Sequence, residues 1–192
     1  MGVPTGEDLP VVGDTDCNRL TIYSERLSSS SREVALAARR LLNSRRREDE
    51  VDEIVDVCVA LEALAGDSTP TEMTHKTSMR VAAILAHDGC AKSAEIFHAM
   101  KKVYGYRSAV VHGRADYKTK QWMNVFGLKL QTVFVGRFLL SASLGAILSK
   151  PELFKTIADD SIVLDMIAEF AKADELEATA ESTESATAAK QE

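Results

Sequence analysis

Apolar side chains recur every three or four residues through most of the stretch from 30 to 149, and most of the Gly and Pro residues stand outside these runs. That spacing is the period of a helix with one buried face, so the chain is built for helices packed on helices. The pattern predicts a first helix over 30–46, with Val34, Ala37, Ala38, Leu41 and Leu42 as its apolar stripe. A second, over 49–65, turns Ile54, Val55, Cys58, Leu61 and Ala65 inward and is stopped by Gly66. A third starts at Thr69-Pro70-Thr71 and runs to 87, with Met73, Thr77, Val81, Ile84 and Leu85 facing the core. A fourth, over 91–104, is broken by Gly105; a long fifth covers 119–149, and a short helical coda follows over 151–170. Short turns between amphipathic helices predict an all-α, antiparallel helical bundle.

The ends read differently. Residues 1–28 hold Gly2, Pro4, Gly6, Pro10 and Gly13 and show no helical period, so an irregular N-terminal extension is expected there, with a short extended piece at 20–23. Beyond about 171 the chain is Ala, Glu, Thr and Ser, with no large apolar residue after Leu176. Such a segment cannot bury enough surface to offset its ordering entropy, and a flexible acidic tail is expected. The organisation is thus an extension over 1–28, a helical domain over 29–170 and a tail over 171–192.

Cys17, Cys58 and Cys90 are widely spaced and form no CxxC pair, and His75, His87 and His98 have no ligand spacing, so neither a disulfide framework nor a metal site is expected. A reducing, cytoplasmic setting fits this usage. The first ten residues lack the basic and apolar regions of a signal peptide. The stretch 125–148 is the one candidate for a membrane span, but Lys129, Gln131 and Arg137 interrupt it. An Arg near a bilayer centre costs roughly 2.5–3.5 kcal/mol on the mildest scales, so a bundle helix away from any membrane is expected instead.

The formal net charge of −6 is unevenly spread. Residues 1–19 carry −3 and 172–192 carry −4, which leaves the body close to neutral at +1. Within it, 101–129 holds seven Lys and Arg residues against Asp116 alone, and 32–47 holds six Arg residues against Glu33. The first is a candidate polyanion surface, with Lys101, Lys102, Arg114 and Lys118 as its contacting side chains. The second reads equally well as a solvated helix face.

Three pieces of sequence carry a resemblance. They are Val59-Ala60-Leu61-Glu62-Ala63-Leu64, then Arg80-Val81-Ala82-Ala83-Ile84-Leu85, then Tyr104-Gly105-Tyr106-Arg107-Ser108-Ala109-Val110-Val111-His112-Gly113. In this order they resemble the Apea-like branch of the HEPN family, over about residues 50–115. The Arg107-to-His112 spacing, with four residues between, lies within that family's RNase signature. The His-x-Tyr variant is not matched, because Arg114 stands where the tyrosine would be. The resemblance implies a metal-independent endoribonuclease with no cofactor, acting in defence or as a toxin-like effector. It also implies a homodimer that brings two motifs together. A regulatory partner protein is not identifiable from the sequence. An inert HEPN module that binds RNA or nucleotide, or only dimerises, is the alternative; a helical scaffold with a coincidental motif is the third.

The residue types suit the chemistry. An imidazole can take or give a proton at neutral pH, and a guanidinium can hold a phosphate and stabilise charge developing on it. His112 and Arg107 are therefore the candidate catalytic pair. Gly105 is expected to end one helix and Ser108 to cap the next, which sets Arg107 against His112 at a helix start whose N–H groups face a phosphate. Glu62 and Arg80 both read as inward-facing and are expected to pair across neighbouring helices, as a core bridge or as support for Arg107 and His112. Tyr104 and Tyr106 are expected in the core.

Overall fold

The computed structural model describes residues 14–66 and 73–156, with 163, 164 and 168 beside them. The start of the third predicted helix at Thr69-Pro70-Thr71, most of 151–170 and the tail over 171–192 lie outside the described residues. Seven helices appear among the described residues: α1 (Asp14–Ser28), α2 (Arg32–Ser44), α3 (Glu50–Ala65), α4 (Met73–His87), α5 (Ser93–Val111), α6 (Thr132–Ser149) and the short α7 (Glu152–Thr156). A 3-10 helix (Ala115–Lys120) and a hairpin of β1 (Trp122–Val125) and β2 (Leu128–Gln131) separate α5 from α6. The architecture is helical, with one small two-stranded ribbon.

Helix α3 is the centre. Ile54, Val57, Cys58, Ala60 and Leu61 are fully buried on it, against Val81, Ile84 and Leu85 of α4, Ile96, Met100 and Val103 of α5, and Leu139 and Leu140 of α6. Gly136 lets α6 come close, since a Cβ there would meet Val57 Cγ1 at 3.1 Å and Val103 Cγ1 at 3.4 Å. Caps fix the starts of α2 and α3. Ser31 accepts from the Val34 N–H and Asp49 from the Val51 N–H, each satisfying a donor the helix leaves open.

Three expectations are corrected. Residues 14–28 are helical rather than irregular. Leu20 and Ile22 are exposed, so α1 has little apolar stripe; it is held instead by polar reach into the end of α6. Tyr23 Oη lies 3.0 Å from Ser149 Oγ, and Arg26 donates to the carbonyls of Leu148 and Ser149, satisfying acceptors at that helix terminus.

The long helix over 119–149 is in fact a 3-10 turn, a hairpin and then α6. The hairpin register pairs Val125 with Leu128 across a two-residue loop, with Phe126 at φ 53° and Gly127 at φ 70°. Two positive φ values are what a tight hairpin of this kind requires. Phe126 takes a conformation that costs a bulky residue about 1–2 kcal/mol, offset by its packing against the core.

Third, α5 runs unbroken through Gly105. Buried Val103, Tyr104, Tyr106 and Ala109 flank the glycine and hold the helix together across it. A Cβ at Gly105 would meet nothing within 4 Å. Gly105→Ala is therefore expected to stabilise the protein by about 0.5–1 kcal/mol, the helical preference of Ala over Gly. A shift of the urea midpoint to higher concentration, with unchanged slope, is the check.

Helix α6 is long and apolar enough to cross a membrane by length and composition, and 56% of it is buried inside the bundle. Arg137 on it lies 2.7 Å from Glu53 of α3. Burial raises the Glu53 carboxyl, with Arg137 pulling it back.

Candidate functional site

The helix containing Arg107 ends at His112, which is the C-cap of α5 and donates its backbone N–H to the carbonyl of Ser108. Gly113 follows at φ 59°, and the N–H of Arg114 bonds the Ala109 carbonyl while that of Gly113 bonds Val110. This is the glycine-terminated helix stop in which only a residue free to adopt a left-handed conformation fits easily. The Val-His-Gly run thus has a local structural meaning: it ends α5.

That arrangement corrects the expected geometry. Ser108 lies inside α5, half-buried, and caps nothing. The backbone at His112 is a helix carboxyl end with its carbonyls outward, so the cradle of first-turn N–H groups expected there is not formed. Five helical steps separate Arg107 from His112, about 140° around the axis and about 7–8 Å along it. The two side chains leave α5 on different faces.

Arg107 turns toward α3. It is half-buried, and its Nε is buried without a protein hydrogen-bond partner among the described residues. Glu62, also half-buried, is raised by burial, and Arg107 is the nearby charge that pulls it back. Cys58, one turn before Glu62, is buried completely, which pushes its thiol well above the ordinary range. Tyr104, one turn before Arg107, is buried; burial, then Cys58 and Glu62, push its phenol up. The buried Thr77 hydroxyl of α4 stands by this phenol and acts against that rise. The interior where α3, α4 and α5 meet therefore holds a polar cluster with one carboxyl, one guanidinium and two hydroxyls.

Arg80 does something other than pair with Glu62. Its guanidinium donates to the carbonyls of Gly66 at 2.8 Å and Ala65 at 3.3 Å, closing the C-terminus of α3. The cation that acts on Glu62 is Arg107. Tyr104 and Tyr106 are both buried, as their pattern predicts.

A group whose folded-state value is raised binds protons more tightly folded than unfolded. Stability then falls as pH climbs from the ordinary value of 4.5 through the raised value of Glu62. Glu62→Gln is expected to remove that part of the pH dependence. Urea titrations of both proteins between pH 4 and pH 7 are the measurement, and parallel curves would count against the buried position of this carboxyl.

His112 is exposed. Arg114 precedes the 3-10 helix and Lys118 lies on it, both exposed. Lys120 pairs with Asp116 at 2.7 Å. On the side of α5 toward the hairpin, Lys102 Nζ donates to the Asn124 carbonyl at 2.7 Å. Lys101 stands over the Phe97 ring at 5.8 Å.

The second basic stretch divides. Arg40 and Arg47 are taken up by Asp56 of α3, at 2.6 Å and 2.8 Å. Sequence reasoning passed over Asp56; its signal is an acid among apolar residues on the inward face of α3. Trp122 was passed over as well, because the segment around it reads as helix. No protein-family model, no curated protein and no solved structure matches this chain.

Proposed function

We propose that the chain is an endoribonuclease of HEPN type that cuts RNA without a metal ion, using His112 for proton transfer and Arg107 for the phosphate. The observation that carries this reading is the state of the two side chains. The imidazole is exposed at the end of α5, and the guanidinium keeps a buried Nε without a protein partner among the described residues. Neither is sealed in the interior with its hydrogen bonds spent. Both belong to a segment with a local charge of +6.

In the reaction, His112 takes the proton of a ribose 2′-hydroxyl as its oxygen forms a bond to the adjacent phosphorus. The P–O5′ bond breaks, the leaving 5′-oxygen takes a proton from an imidazolium, and a 2′,3′-cyclic phosphate remains. One imidazole cannot sit on both sides of the phosphorus at once. Because Arg107 and His112 diverge on one helix, the working site is proposed to form between two copies, with the Arg107 of one serving the His112 pair.

A second reading is favoured by the charge of Arg107 acting on Glu62. A guanidinium that offsets a half-buried carboxyl is already useful to the fold, and an inert RNA-binding or dimerising HEPN module would keep it for that alone. The test is incubation of the purified chain with single-stranded RNA in excess EDTA. Fragments ending in a 2′,3′-cyclic phosphate support the nuclease; RNA bound and left intact supports the inert module.

A further inference from the structure

A groove of about 320 Å³ opens beside α5, lined by Lys102 and Gly105 of α5, Thr119 and Lys120 of the 3-10 helix, and Trp122, Met123 and Asn124 of β1. Alternation along β1 sends Met123 into the core and leaves Trp122, 49% exposed, on the opposite face. An indole half open to water is an unusual use of the largest apolar side chain, and this is the only tryptophan in the chain. Gly105 contributes no side chain, so the wall of the groove on α5 is bare backbone with free space above it. Lys102 and Lys120 stand at its margin. Each is tied by one exposed contact, to the Asn124 carbonyl and to Asp116, of the kind that water and other anions displace readily.

We propose that this groove is a subsite for one nucleotide of single-stranded RNA, its base stacked on Trp122 and its phosphate held by Lys102 and Lys120. Stacking on an indole accepts any base, and two ammonium groups supply the charge match that a phosphate backbone needs. The placement is argued from α5. Gly105 and His112 are seven residues apart, which returns the helix to within about 20° of the same face and advances it about 10 Å. A strand lying along that face passes from Trp122 to His112. The subsite rests on the RNA-cleaving reading for its purpose, and would position a strand beside that imidazole.

The single tryptophan gives a direct readout. Titration of the full chain with a short oligouridine is expected to quench its emission saturably, with the same midpoint as the anisotropy of a dye-labelled copy of that RNA. Trp122→Ala is expected to weaken binding by about tenfold or more. Gly105→Leu, which fills the groove from its α5 wall, is expected to do the same while leaving the urea midpoint unlowered. Lys102→Ala combined with Lys120→Ala is expected to flatten the slope of log affinity against log salt by about 0.7, the share of the one phosphate they hold. Binding with unchanged emission, wild-type affinity in either groove variant, or no binding at all overturns the subsite. RNA that quenches Trp122 and is not cut leaves the subsite standing and removes the nuclease. RNA cut with Trp122 silent does the reverse.

Discussion

Replacing His112 by alanine is expected to lower RNA cleavage by about 10²–10⁴-fold, the usual contribution of a positioned acid or base. The fold is expected to stay within about 0.5 kcal/mol of wild type, because the imidazole is exposed and the helix stop is made by backbone groups and Gly113. Arg107→Ala is expected to cut activity comparably but also to lower stability, since Glu62 then keeps its half-buried carboxyl with no cation acting on it. The two variants therefore separate chemistry from folding. Arg107→Lys retains the charge and loses the planar fork that grips a phosphate, so it is expected to restore stability more fully than cleavage. Initial rates on single-stranded RNA in EDTA, read beside urea midpoints for the same preparations, decide this. Wild-type cleavage by His112→Ala ends the proposed mechanism.

How much of this was legible beforehand depends on where each element gets its stability. Helix α2 announces itself because its burial follows the helical period, as at Val34 and Ala37; α3 and α4 are buried over most of their circumference and are legible because their large apolar residues still include that spacing, as at Ile54, Cys58 and Leu61. Helix α1 is hidden because its attachments are polar and distant: Tyr23 and Arg26 reach residues more than a hundred positions away. Gly105 misleads because its local cost, about 1 kcal/mol, is smaller than the burial of the side chains around it. The hairpin is hidden by its loop, Phe126-Gly127 rather than Asn-Gly, and by strands of four residues that hardly establish a period of two.

The site was readable as residue types and unreadable as geometry for the same reason. Arg107 and His112 could be named from the motif, yet their relation turns on whether α5 stops at Gly105 or passes through it. A helix that passes through sends the guanidinium toward Glu62 and the imidazole to solvent. The partner of a buried charge is likewise a tertiary fact. Arg80 and Arg107 both reach toward α3 from neighbouring helices, and only the packed bundle assigns one to its terminal carbonyls and the other to Glu62.

The largest expected loss of stability follows from Asp56, whose side chain on α3 is only 2% exposed. It accepts from Arg40 of α2 at 2.6 Å and from Arg47 of the α2–α3 connection at 2.8 Å, so one carboxylate fixes α2 and the following turn against α3. A hydrogen bond to a charged group contributes about 1.5–3 kcal/mol. Two would give more, but Arg40 and Arg47 are 37% and 43% exposed and regain water when released. Asp56→Ala is therefore expected to cost about 2–3 kcal/mol, below the range for stranding a fully buried ion. Burial pushes the Asp56 carboxyl up, and the hydrogen bonds and charges of Arg47 and Arg40 outweigh it, holding the group below its ordinary value of 3.8. With a lowered folded-state value, this stabilisation is complete above 3.8 and is lost as pH falls through the lower value. Wild type is thus expected to lose a component of stability on acidification below about pH 4 that Asp56→Ala has already lost. Asp56→Asn, which keeps the shape and drops the charge, is expected to behave like the alanine variant. Should it hold wild-type stability at pH 6, shape rather than charge joins α2 to α3, and the ion pairs contribute nothing to that junction.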